Sequence, residues 1–191
     1  MRLLIDIAIA VILAAVLGLA TAWFAIERGP LFGGMAVGPW DAWPASGSPN
    51  ADPYAVARLA RTGEVPLGAG EGLAFTARND SAGEPLSGRC TYRIDGQTPA
   101  ARLWTLTAYD GNGRLMANAA RRTGFQSREI LRRPDGSFLV TASPDVQPGN
   151  WLPIATPGPF SLVFWLYDTL LTTGGEVSDR MMPAIVLEGC R

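Results

Sequence analysis

The twenty residues from Ile7 to Ile26, IAIAVILAAVLGLATAWFAI, carry no formal charge. As a helix at about 1.5 Å per residue they span about 30 Å, the thickness of a bilayer's hydrocarbon core. No face of that helix is polar, so it does not read as a surface helix of a soluble domain. Trp23 and Phe24 fall near its C-terminal end, where amphipathic rings settle at the headgroup level. Asp6 lies at the other end, shallow enough to reach water. Arg2 before the span, against Glu27 and Arg28 after it, gives a slight positive-inside bias that favours a cytoplasmic N-terminus. A cleaved signal peptide is the rival reading, because Ala20-Thr21-Ala22 has the small-x-small form of a processing site. The apolar run is longer than the about 7–15 residues of a typical signal core and continues past that site, which favours an anchor. Both readings put the rest of the chain on the same side of the membrane.

Residues 29–51 are rich in Gly and Pro and carry Trp40 and Trp43; they read as a juxtamembrane linker whose tryptophans meet either the interface or the domain. Asp52-Pro53 then opens a helix, with an N-cap acceptor followed by a proline at the first helical position. Ala55, Val56, Leu59 and Ala60 share one apolar face, and Gly63 closes the helix. Beyond Gly70 the period becomes two. Strands are predicted at Leu73–Arg78, Cys90–Ile94, Arg102–Tyr109, Arg114–Asn118, Ser137–Ala142, Phe160–Tyr167 and Pro183–Leu187. Asp110-Gly111-Asn112-Gly113 is the turn of a predicted hairpin. The continuous run FSLVFWLY (160–167) predicts a central strand buried on both faces. Short strands at this spacing imply a sandwich or barrel. The chain thus divides into an anchor (1–28), a linker (29–51) and one β domain (52–191).

Composition narrows the chemistry. The sequence has no histidine, and all 16 basic residues are arginine. The usual general base near neutral pH and the commonest metal ligand are therefore missing. Schiff-base chemistry and the P-loop lysine are excluded as well. No cofactor or metal site is expected. A net charge of -1 argues against nucleic acid as a partner. Cys90 and Cys190 are the only cysteines. In an exported domain the simplest expectation is one bridge between them, the alternatives being a buried free thiol or a nucleophile lacking its usual base.

The segments DPYAVARLARTGEVPLG (52–68), GRCTYRIDG (88–96), ARLWTLTAYDGNGRL (101–115), GNWLP (149–153) and LYDT (166–169) together resemble the bacterial domain-of-unknown-function family 1214. The resemblance spans roughly residues 50 to 190. It implies a jelly-roll-like antiparallel β-sandwich with one short helix, in short members often behind an N-terminal membrane segment, and it implies no activity. Family members often carry Arg-Leu-Tyr late in the domain, where this chain has Trp165-Leu166-Tyr167.

Around these motifs recur Arg102, Trp104, Tyr109, Asn150, Trp151 and Tyr167. Aromatic faces beside Asn and Arg donors suit a sugar or another polar ligand, and the plainer alternative is core packing. Glu71, Asp110 and Asp168 are candidate carboxylates for a glycosidase pair, although nothing in the spacing brings two of them together. Arg121, Arg122, Arg128, Arg132 and Arg133 form a basic strip: a solvated edge, or a surface for lipid phosphates or an acidic partner. The expected function is a non-enzymatic binding module of the bacterial envelope, for a ligand, glycan or protein. It would sit in the inner membrane through Ile7–Ile26, its domain periplasmic, or be soluble in the periplasm if processed. The alternative is a carboxylate-dependent hydrolase of envelope carbohydrate.

Overall fold

The computed structural model describes residues 2–27, 33–68, 70–97, 100–169, 171 and 182–191. Arg28 and residues 29–32 of the expected linker lie outside them. The N-terminal apolar segment is a helix, α1 (Arg2–Glu27), with its aliphatic side chains from Leu3 to Leu19 exposed. Among the described residues it is the one helix long and apolar enough to cross a membrane. Ala20-Thr21-Ala22 sits inside it, with the Thr21 hydroxyl donating to the Leu17 carbonyl at 2.8 Å.

The rest is mainly β. Its elements are β1 (Met35–Val37), β2 (Trp40–Ala42), α2 (Pro53–Thr62), β3 (Gly72–Ala77), β4 (Cys90–Gly96) and β5 (Ala101–Asp110). They continue with β6 (Gly124–Gln126), β7 (Phe138–Ser143), β8 (Asn150–Pro153), β9 (Phe160–Thr169) and β10 (Ala184–Cys190). A six-stranded sheet runs β1-β2-β3-β9-β5-β6 and a four-stranded sheet β10-β4-β7-β8. The two pack face to face over one apolar core. Trp104 of β5 lies 4.8 Å from Phe138 of β7, and Tyr92 of β4 lies 5.9 Å from Phe160 of β9, ring centre to ring centre. Period-two alternation produces this directly: every second residue of β4, β5, β7 and β9 is buried.

Four expectations change. The stretch 29–51 does more than link: β1 and β2 extend the larger sheet, and Trp40 is fully buried with its indole N–H donating to the Pro183 carbonyl at 2.7 Å. No strand forms at 114–118. The Asp110–Gly113 turn is present, with Asp110 Oδ1 accepting from the Asn112 and Arg114 amides, and Leu115 bridges back to Tyr109, but the chain then leaves the sheet. Asn118 closes a turn of its own with Arg122, and β5 pairs instead with Gly124–Gln126. The smaller sheet is mixed rather than antiparallel, because β7 and β8 run parallel, Val140 opposite Asn150. Finally, β9 is central but not buried on both faces: Ser161, Val163, Trp165 and Tyr167 are half-buried on the outer side.

Cys90 and Cys190 are disulfide-bonded, directly opposite each other in the β4–β10 pair. The bridge pins the end of the chain to a strand 100 residues earlier.

Candidate functional site

The half-buried outer face of β9 is half-buried because something covers it. Helix α2 is fixed at both ends by local chemistry. The Asp52 carboxylate accepts from the Tyr54 and Ala55 amides at 2.9 and 3.1 Å, and Pro53 begins the helix. Gly63 ends it in the left-handed conformation at φ 68°, a backbone setting that costs glycine little. The chain then returns through residues 64–67 and lies against the turns at 44–50. There Gly47 meets the Leu67 carbonyl so closely that a β-carbon would collide with it.

Between this cover and the larger sheet lies a cleft of about 830 Å³. Its floor is the outer face of three neighbouring strands: Ala74 and Thr76 of β3, Ser161, Val163 and Trp165 of β9, and Tyr109 of β5. Register explains the grouping, since Ala74 pairs with Trp165, Thr76 with Val163 and Ser161 with Tyr109. Arg58, Leu59 and Thr62 of α2 form the roof, and Trp43, Arg78 and the 110–113 turn form the rim.

The charges here are arranged, not scattered. The Arg58 side chain is 12 % exposed, its guanidinium 3.9 Å over the Trp43 ring and its Nη2 3.1 Å from Glu64. Burial pulls its pKa below the ordinary arginine value, with Glu64 opposing. Asp41 of β2 stands beside the cleft, opposite Thr76 in register. Burial pushes its pKa up, while Arg78 and Arg58 pull it down less strongly. Burial also raises the Tyr109 phenol. The cleft thus offers an indole face, hydroxyls, a phenol and guanidinium donors around a partly apolar floor, which is the composition of a small-molecule site.

Of the six residues singled out from sequence, Tyr109 lines this cleft, and the six do not share one pocket. Tyr167 is on the same outer face, half-buried and opposite Gly72. Arg102 is exposed and pairs with Asp168 at 3.2 Å. Trp104 is fully buried against Phe138 and Phe164, and its indole N–H has no hydrogen-bond partner among the described residues. Asn150 is buried and holds backbone together: its oxygen accepts from the Leu131 amide, and its nitrogen donates to the Leu131 and Leu139 carbonyls. Trp151 is half-buried, its indole N–H donating to the Ser143 carbonyl at 3.0 Å. These three are scaffold.

The candidate carboxylates are likewise committed. Glu71 accepts from the Gly68 amide, Asp110 caps its turn, and Asp168 pairs with Arg102; of the three, Asp110 lines the cleft. Among the described residues no group of three or more Cys, Asp or Glu side chains is placed to hold a metal ion. Sequence reasoning missed Asp41, Trp43, Arg58, Arg78 and Trp165. The signal for Trp165 was there, since Ser161, Val163, Trp165 and Tyr167 alternate within FSLVFWLY.

The family model described as a protein of unknown function (DUF1214) matches residues 71–170. A crystal structure of a Vibrio parahaemolyticus protein is similar at a TM-score of 0.59 and 21% identity, covering 73% of this chain and 36% of that one. An uncharacterised protein from Burkholderia cenocepacia is similar at a TM-score of 0.47 and 20% identity, covering 89% of this chain and 40% of that one. The chain therefore spans well under half the length of either. The Vibrio likeness bears on the fold alone. No curated protein matches the chain. The matched residues supply the floor of the cleft, whereas Trp43 and Arg58 lie before them.

Proposed function

The chain belongs to the DUF1214 family of proteins of unknown function, and from that premise we propose that it is an envelope-side binding module held in a membrane by α1. On this reading α1 crosses the bacterial inner membrane with its N-terminus in the cytoplasm. The domain, a jelly-roll-like sandwich, stands in the periplasm, and its roofed cleft takes a glycan or a similarly polar, ring-bearing ligand. The observation that carries the reading is the cleft itself: a half-buried indole and three hydroxyl-bearing side chains under a helix that brings an arginine to the site. Ring stacking with fixed polar groups is how such sites hold sugars. The disulfide and the lack of histidine support an oxidising compartment and a non-enzymatic role.

The test uses the full chain in lipid nanodiscs and a muropeptide digest of bacterial cell wall, read by saturation-transfer NMR. Wild-type protein should transfer magnetisation to sugar protons. Trp165→Ala should abolish the transfer, and Trp151→Ala should leave it. Transfer that survives Trp165→Ala would remove the cleft from the account.

A carboxylate-dependent hydrolase of envelope carbohydrate is the second reading, and one observation favours it. Asp41, beside the cleft, holds its proton above the usual carboxylate range, the property of a general acid. That reading requires turnover of the digest that disappears in Asp41→Asn.

A further inference from the structure

Helix α2 has two faces, and the cleft uses one of them. Ala55 is its buried residue, and Arg58, Leu59 and Thr62 line the cleft. Of the apolar residues expected to share one face, Leu59 turns to the cleft, while Val56 and Ala60 stay exposed with Pro53, at helical spacing, Val56 being 52 % exposed. Arg58 is turned into the cleft against Trp43 and Glu64, and Arg61 is the exposed arginine of the helix. A single exposed aliphatic residue needs no explanation, but an exposed apolar helix face beside an arginine does.

Its surroundings identify the occupant. The Arg61 guanidinium lies 3.8 Å over the ring of Trp23, which belongs to α1 and is itself 59 % exposed. Ala22, Ala25 and Ile26 of α1 are half-buried at this same end, where α2 meets it. Helix α2 therefore packs against the C-terminal end of the long apolar helix. If α1 spans a bilayer, Trp23 rests at the headgroup level. A helix stacked on it stands within about 10–12 Å, one helix diameter, of that level. An exposed apolar stripe with an arginine at its flank is the pattern of a helix lying in the interface plane, with its cation near lipid phosphates.

We infer that α2 docks its Pro53–Val56–Ala60 face on the surface of the leaflet from which α1 emerges, so that the cleft is roofed by a membrane-seated helix. This rests on α1 being a retained anchor. A ligand would then reach the cleft along the membrane surface.

A fluorophore tests the docking in the full chain, reconstituted in nanodiscs with the disulfide oxidised. An environment-sensitive dye is attached at Val56→Cys and, for comparison, at Val146→Cys, an exposed position beyond β7. Lipids brominated near the headgroup should quench the Val56 dye at least twofold and leave the Val146 dye unchanged. Equal, water-like behaviour of the two dyes overturns the docking. A Val56 dye that is shielded from water yet insensitive to brominated lipid also overturns it, since another protein surface then covers the face. Alkaline extraction of the same labelled protein from vesicles separates the two premises. A chain that stays in the pellet while its Val56 dye is water-like refutes the docking alone, whereas a chain released to the supernatant refutes the anchor with it.

Discussion

The environment of Asp41 opposes its chemistry. Its folded pKa lies above the ordinary carboxylate value of about 3.9, burial being the larger cause. The folded state therefore binds the proton more tightly than the unfolded chain does. The associated stability is fully present below about pH 4 and is lost as pH rises through the raised value. Above that raised value the charged carboxylate is a net burden on folding. Asp41→Asn should accordingly melt higher than wild type at pH 7, with the gap closing as the pH falls below about 4. An unchanged or lower melting temperature at pH 7 would contradict this. Sequence could not reveal Asp41, because its burial comes from strands and a helix far along the chain. Asp52 and Gly63 were legible for the converse reason: each acts on backbone within three or four residues. The arginine strip shows the same divide. Arg122 donates to the Trp151 carbonyl, Arg132 to the Ser127 and Gly136 carbonyls, and Arg133 pairs with both oxygens of Asp95. Much of the strip holds loops in place, which a run of like charges read alone does not disclose.

Among the elements, alternating strands could be read and their partners could not. The predicted strands near 73–78, 90–94, 102–109, 137–142 and 183–187 each meet an observed one, since period two needs only one buried face. The segment 160–167 misled because valine, tryptophan and tyrosine look like core residues wherever they fall. In β9, Val163 and Trp165 line a cleft that is covered but not filled. The turn after Asp110 is a sound hairpin signal, yet the pairing it implied stops at one bridge, Tyr109 to Leu115, and resumes with a strand beyond a second turn. β10 is an edge strand, and its covalent tie to β4 sits at the residue before the last. Closing 100 residues of chain stabilises by at most about 4.7 kcal/mol in the chain-entropy model. The Cys90→Ser/Cys190→Ser protein should therefore melt well below wild type, and the amides of 184–190 should exchange fastest relative to it. Equal protection of those amides in both proteins would mean that the strand needs no staple.

At the scale of the whole molecule, the fold class was legible and the site was not. Two sheets around one core follow from alternation, turn residues and the family resemblance together. The cleft depends on residues 43–67 folding back over β3, β9 and β5, strands that follow at very different distances along the chain. The aromatic set chosen from the family-like motifs was divided by the fold between core, scaffold and surface. The lining of the cleft comes partly from what read as a linker.

The proposed function requires that the domain stand where disulfides persist and that α1 stay attached. The direct measurement is a thiol-trapping gel on membranes washed at alkaline pH, from cells opened under alkylating conditions. The account predicts the full-length chain in the pellet, with Cys90 and Cys190 unmodified until a reductant is added. A chain shortened by the N-terminal helix in the soluble fraction, or both thiols alkylated without reductant, would contradict it.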